Sequence, residues 1–252
     1  DKTKVNGKNI SYDIGSPEII KEKLRNGFPL VIREKINIDF GSSVSLFSRL
    51  TKIFEKIPAT KDIEKIYSED KEKLIELMQK VFLGDEESVA TVSKEKGINT
   101  ELLLFLSKLS LQPLGRVLSK LFERYVDQNL WLQGYCPICG AKPDIAEIRG
   151  EEGKKYLHCS FCGYVWLFKR LHCPFCGNSD HESLSYFYVE GEEGYRIDVC
   201  EKCKKYIKTI DTRKLTERII LGLEDWCTIH LDIIAQNKGY LRESSTHTLQ
   251  WN

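Results

Sequence analysis

Eight of the nine cysteines in this chain of 252 residues stand in four C-x2-C pairs: Cys136/Cys139, Cys159/Cys162, Cys173/Cys176 and Cys200/Cys203, with Cys227 alone. No other feature restricts the fold as much. Disulfide frameworks join cysteines whose backbones sit at matched separations, usually far apart in sequence. A repeated C-x2-C instead turns two thiolates toward one point, and two such knuckles supply the four sulfurs of a tetrahedral zinc or iron site. Three pairs continue as CPICG, CSFCG and CPFCG, where glycine permits a positive φ after the second cysteine; the fourth reads CEKCK, with Lys204 in that place. The departure implies a strained or looser turn but removes no ligand. Thiolates kept available for metal imply a reducing compartment.

An internal repeat indicates which pairs combine. CPICG at 136–140 leads through a β-rich stretch and Gly150-Glu151-Glu152-Gly153 to Cys159. CPFCG at 173–177 leads through a similar stretch and Gly191-Glu192-Glu193-Gly194 to Cys200. Each copy reads as knuckle, strand, hairpin turn, strand, knuckle, the plan of rubredoxin-like and zinc-ribbon modules. Tandem pairing follows, Cys136/Cys139 with Cys159/Cys162 and Cys173/Cys176 with Cys200/Cys203. The alternative is a cross-brace joining the first pair to the third, which would leave the repeat without structural meaning. Modules of about 40 residues cannot build a sufficient core, and metal binding of the order of 10–16 kcal/mol makes up the deficit. Four sulfurs per metal leave no position for water, which favours structural or one-electron sites over hydrolysis.

Upstream, residues 1–133 contain no cysteine and read mainly as helices. Ser16-Pro17-Glu18 is a helix start, and an extended apolar patch lies at Leu30–Ile32. Spacings of three and four predict a helix from Val44 to Ile57, ending at Pro58. Others run from Ile63 to Phe82, over 85–96, over 99–111, and over 114–132 after Pro113. A last amphipathic helix after Lys214 carries Ile219, Ile220, Leu223, Trp226, Cys227, Leu231 and Ile234 and stops at Gly239. The expected fold class is α+β: an N-terminal helical bundle over 1–133, rubredoxin-like modules at 134–170 and 171–213, and a C-terminal helix and tail at 214–252.

Charge narrows the function. With 38 basic and 37 acidic residues the chain is nearly neutral. The three segments ending at 133, 214 and 252 carry +2, +1 and −2. Eight thiolates (−8) and two divalent ions (+4) would turn the +1 of the ribbon segment into −3, unsuited to clamping nucleic acid. The run Lys202, Lys204, Lys205, Lys208 with Tyr206 reads as a solvated strand surface. The longest purely apolar stretch, Leu102–Leu106, falls far short of the roughly 20 residues a membrane span needs, and the first residues show no secretory signal pattern.

Other candidates have simpler readings. His158 and His172 each precede a ligand cysteine and read as strand positions beside a knuckle. His230 reads as a packing or surface residue. Glu151/Glu152 and Glu192/Glu193 read as solvated hairpin tips rather than an acid/base pair. Cys227 reads as a small buried hydrophobe on a helix face. Phe161, Tyr164, Trp166 and Phe168 form either a partner-binding aromatic face or core between ribbon and bundle.

The string Lys155-Tyr156-Leu157-His158-Cys159-Ser160-Phe161-Cys162, the following Cys173-x2-Cys176-Gly177, and the fourth knuckle with Tyr206-Ile207-Lys208 resemble the FdhE-type formate dehydrogenase accessory proteins. So does the ending Leu231-Asp232 … Gly239-Tyr240-Leu241-Arg242. The resemblance covers roughly 134–245. It departs at Thr248-Leu249-Gln250-Trp251-Asn252 and in a weakened acidic start to the closing helix. It implies a cytoplasmic maturation factor, a chaperone rather than an enzyme, acting on the catalytic subunit of formate dehydrogenase before or during cofactor loading. It also implies two metal ions, zinc or iron, held by the eight paired cysteines, with client binding near them. An iron redox protein is the alternative expectation, and a nucleic-acid zinc ribbon the weaker one.

Overall fold

The computed structural model describes residues 3–7, 10–67, 70–216 and 219–243. The chain opens with β1 (Thr3–Gly7) and β2 (Ile10–Gly15), an antiparallel pair joined on its β2 side by the short β3 (Asn37–Ile38). This small sheet was not expected in a segment read as mainly helical. Alternate burial along β2 puts Ile10, Tyr12 and Ile14 on the core face, the period-two pattern of a half-buried strand.

Helix α1 (Pro17–Arg25) starts as Ser16-Pro17 predicts, with the Ser16 side chain accepting from the Ile19 backbone N–H. α2 spans Gly41–Ile53, and Pro58 opens α3 (Pro58–Tyr67) instead of merely closing the helix before it. The periodicity from Ile63 to Phe82 belongs to two helices, because Asp70 caps a new one, α4 (Lys71–Leu83), by accepting from Lys73 N. α5 (Glu86–Glu95) follows, capped by Asp85.

The expected break at Pro113 does not occur: α6 runs unbroken over Thr100–Phe122. The missing N–H at Pro113 costs a rung of the helix. Burial on both sides of it, from Leu103, Leu106 and Leu111 to Leu118 and Phe122, outweighs that cost. The helix also ends ten residues before the expected 132, after which the chain runs in a 3-10 turn and coil to the first knuckle.

The second half forms one sheet. The first repeat contributes β4 (Pro143–Arg149), β5 (Lys154–Cys159) and β6 (Val165–Phe168); the second contributes β7 (Leu184–Tyr188), β8 (Tyr195–Cys200) and β9 (Lys205–Asp211). Within each repeat neighbours are antiparallel, and the order is β6-β5-β4-β9-β8-β7. The joint is the parallel pair β4–β9, with Ile145 opposite Lys208 and Ile148 opposite Asp211.

The closing helix is broken at Thr228 into α7 (Leu221–Cys227) and α8 (Ile229–Asn237). β10 (Leu241–Arg242) then adds in parallel to the start of β9. Its expected apolar face is not all covered: Ile220 and Leu223 stay 59% and 56% exposed, and Cys227 is exposed rather than buried. The tail Thr248–Asn252 lies outside the described residues.

A single apolar core runs from β2 and the helices into the first knuckle pair, taking in Trp131, Ile138, Leu157 and Trp166. A smaller one, Ile197, Val199, Tyr206, Leu231 and Ala235, holds α8 on the second repeat.

Candidate metal centres

All four knuckles share one local construction. The backbone N–H of the residue after the second cysteine donates to the carbonyl of the first: Gly140 to Cys136, Gly163 to Cys159, Gly177 to Cys173 and Lys204 to Cys200, at 2.8–3.1 Å. That closure needs the left-handed region, which the three glycines take at φ of 67–75°. Lys204 takes it too, at φ 55°, so the fourth turn keeps the shape of the others at the expense of strain in a residue with a Cβ.

The sulfurs converge as two sets, Cys136, Cys139, Cys159 and Cys162, and Cys173, Cys176, Cys200 and Cys203, with all Sγ atoms of a set within 4.8 Å of one another. The cross-brace is not what the chain adopts. Sγ–Sγ separations are 3.5 Å for Cys136–Cys162 and Cys139–Cys159, and 3.7 Å for Cys173–Cys203 and Cys176–Cys200. A tetrahedron of sulfurs about 2.3 Å from a metal has edges of about 3.8 Å, so both sets fit a four-coordinate ion. Electrostatics agree. Burial, with the neighbouring sulfurs, pushes the Cys136 thiol well up, and burial pushes Cys173 up as well. Burial opposes ionisation of Cys200 too, but the Cys203 N–H, the Asn178 amide and the Lys202 N–H bring it down to about 7. Four thiolates could be held together here only with a cation among them.

The two sets sit in different surroundings. The first is enclosed, every cysteine at most 4% exposed. Leu30 and Val31, the extended patch of the sequence, donate to the carbonyls of Pro137 and Ile138 at 2.8 and 2.9 Å, lying along the first knuckle. Arg33 donates to the carbonyls of Cys139 and Phe82 and lies 5.0 Å over the Phe161 ring, tying α4 to two knuckles. Gly115 of α6 meets the second knuckle so closely that a Cβ would stand 2.5 Å from the Phe161 carbonyl oxygen. In the second set Cys176 is exposed and Cys203 half-buried.

The aromatic residues around the second knuckle are core: Trp166 is fully buried, Tyr164 and Phe168 nearly so, and Phe161 packs edge-on to Phe82. Neither His158 nor His172 joins a sulfur set. His158 lies in β5 with Nδ1 2.7 Å from Asp144 Oδ1, whereas the His172 Nδ1 is enclosed without a hydrogen-bond partner. His230 is a surface residue, but it pairs with Glu192 at 2.8 Å, so that hairpin tip is anchored rather than merely solvated.

The reading of the basic run as a solvated surface fails at Lys208. Its ammonium is 1% exposed, 3.0 Å from Asp225 and 2.7 Å from Asp232. Arg242 bonds the same two carboxylates, closing a buried quartet of two cations and two anions, and Tyr206 donates to Asp232 at 2.8 Å. Burial opposes ionisation of Asp225, but Arg242 and Lys208 prevail and hold it below the usual range. The signal was present in the sequence: Asp225 and Asp232 stand seven apart in an apolar helix, and Lys208 interrupts an apolar strand. A second cluster joins the repeats, where Lys155 of β5 reaches Asp198 of β8 at 2.8 Å and Arg196 pairs with the same carboxylate.

Residues 135–170, which hold the first sulfur set, match the family model "FdhE, central domain". An FdhE homolog of Aquifex aeolicus is 34% identical over 151 residues, covering 59% of this chain and 52% of that protein. FdhE of Escherichia coli K12 is 26% identical over 190 residues, covering 74% and 58%. The chain thus spans about half the length of the relatives it matches. The crystal structure of the FdhE protein from Pseudomonas aeruginosa superposes with a TM-score of 0.62 over 92% of this chain and 79% of that one, at 20% identity, a likeness of fold. In its knuckles, in the stretch that matches the central-domain model and in its fold, the chain is similar to the FdhE proteins.

Proposed function

We propose that this protein is a formate dehydrogenase accessory factor that holds the immature catalytic subunit through a surface organised by two four-cysteine metal sites. The observation that carries the reading is the enclosed first sulfur set, wedged between α4, α6 and the sheet. A metal there has four protein ligands and no open position, so it acts as a fastener of helices to sheet rather than as a reaction centre. The eight paired cysteines are the proposed ligands, and zinc or iron the proposed ion. Bound, the ion would supply charge neutralisation and cross-linking. The chain's own residues, Leu30, Val31, Arg33 and Gly115, bring the helices onto that fastener. The work is recognition, with no catalytic residue, and its place is the cytoplasm. Among the described residues no helix is long and apolar enough to cross a membrane.

Co-purification of the metal-loaded protein with the catalytic subunit of formate dehydrogenase tests the reading. The paired change Cys136→Ala and Cys139→Ala is expected to abolish both fold and capture; a variant that keeps both overturns it. A one-electron role has its own support at the second set, where the exposed Cys176 would bring an iron to the surface. A colourless as-purified protein containing only zinc would remove that reading. The nucleic-acid reading loses its main support with Lys208 buried and paired.

A further inference from the structure

The two outer strands of the large sheet are finished differently. At β6 the Tyr164 carbonyl accepts from Cys159 N at 2.9 Å, which sets the alternation so that Val165 and Leu167 turn their backbone groups away from β5. Gln128 closes that edge, its Oε1 accepting from Leu167 N at 2.9 Å and its Nε2 donating to the Val165 carbonyl at 3.5 Å. At β7 the Ser183 carbonyl accepts from Glu201 N at 2.9 Å, so by the same alternation Tyr186 and Tyr188 point their N–H and C=O groups away from β8. Among the described residues nothing bonds these four groups, and β8 is the only strand beside β7. Outer strands are usually protected by a lysine, a proline or a bulge. β7, Leu-Ser-Tyr-Phe-Tyr, has none of these, and its register with β8 is unbroken.

Cations flank the open edge. Arg196 lies 4.6 Å over the ring of Tyr186 and Lys214 5.2 Å over the ring of Tyr188, both tyrosines being exposed. Beside the second sulfur set, Leu184 and Tyr186 share a groove of about 180 Å³ with Arg170, Leu171, Phe175 and Arg196. That is below the roughly 300–1,000 Å³ of a small-molecule site and suits single side chains. Arg196 shares Asp198 with Lys155, whereas Arg170 and Lys214 have no carboxylate partner among the described residues. Lys214 stands at the Tyr188 end of β7, roughly 13 Å along the strand from the level of Cys200, so a metal–thiolate charge there is largely screened from it.

We infer that β7 is a docking edge for an extended acidic segment of another polypeptide. The segment pairs with the outward groups of Tyr186 and Tyr188 and sets alternate carboxylates against Arg170 and Lys214. Main-chain donors and acceptors two residues apart are matched by a strand, and cations without partners are matched by acids. A second copy of this chain fits poorly, because β7 would bring tyrosines and no carboxylate to the cations. The other face of the added strand falls beside the half-buried Phe187, which suits apolar side chains. The edge belongs to the second repeat and is independent of the enclosed first set that carries the accessory reading.

The test titrates the metal-loaded full chain with an end-capped hexapeptide alternating valine and glutamate, read by calorimetry, with a valine–lysine peptide of equal length as the comparison. Saturable binding of the glutamate peptide is expected, at least tenfold tighter than that of the lysine peptide. The double change Arg170→Glu and Lys214→Glu should weaken it at least tenfold. So should Tyr186→Pro, which removes an outward N–H and no bond to β8. Metal content and circular dichroism identify any variant that fails to fold. Two further peptides need no variant: one N-methylated at its glutamates, the other at its valines. Only one of these sets of amides can face β7 in an added strand, so their affinities for the wild-type chain should differ at least tenfold. Absence of saturable binding, equal binding of the lysine peptide, or equal effects of the two methylations overturns the inference. A wild-type dimer that Tyr186→Pro converts to a monomer also overturns it, and gives the edge to a second copy.

Discussion

At the scale of single residues, contacts with backbone decide which substitutions the chain tolerates. Gly115 is helical and needs no unusual φ; what it needs is the absence of a side chain, since a methyl would press on the Phe161 carbonyl. Gly115→Ala is therefore expected to destabilise by about 1–3 kcal/mol despite alanine's better helix propensity, measurable as a lowered midpoint in thermal unfolding. The buried quartet is more demanding. Asp225→Asn leaves Lys208 and Arg242 with one carboxylate and should cost about 3–5 kcal/mol. The pH dependence carries a sign. Because Asp225 titrates below its ordinary value of 3.8 when folded, its contribution is complete above that value and fades as the pH falls through the folded pKa. The gap in unfolding midpoint between wild type and Asp225→Asn should stay constant above about pH 5 and narrow below 4. A gap that widens on acidification would contradict this. The two differ in legibility: a glycine in a helix looks ordinary until the opposing backbone is known, whereas Asp225, Asp232 and Lys208 stand out as charges set into apolar stretches.

At the scale of elements, the two sulfur sets are chemically alike and physically unlike. An enclosed set exchanges only when helices part from the sheet, whereas an exposed sulfur meets a chelator directly. Metal release to a chromogenic chelator should be biphasic, with the first phase abolished by Cys176→Ala and the second following global unfolding. The element boundaries explain what the sequence made legible. C-x2-C spacing and the repeated Gly-Glu-Glu-Gly turns led to the right sulfur partners, because knuckles and hairpins are set by local backbone chemistry. Periodicity found most helices but misjudged their joints: Asp70 ended one reading, Pro113 failed to end another, and Thr228 broke a third. In each case a cap or a tertiary contact outweighed the pattern. The Asp144–His158 pair and its neighbour Arg116 left no trace in sequence, since only the β4–β5 register and the approach of α6 bring them together.

At the scale of the whole molecule, the two repeats are joined into one sheet, so the loss of one site should be felt in the other. Replacing Cys173 and Cys176 by alanine is expected to reduce hydrogen-exchange protection not only in β7–β9 but along β4, whose outer edge is covered by β9. Unchanged protection in β4 would mean the repeats are energetically separate. The parallel joint also imposes an order in time. β4 is buried along almost its whole length, yet the strand that covers its edge begins about 60 residues later. On the ribosome the first repeat must therefore wait, an apolar edge uncovered, until the end of the second has emerged. During that interval only the helices made before it and a metal in its own four sulfurs would fasten it, so a shortage of metal would strike the nascent chain before it could weaken the finished protein.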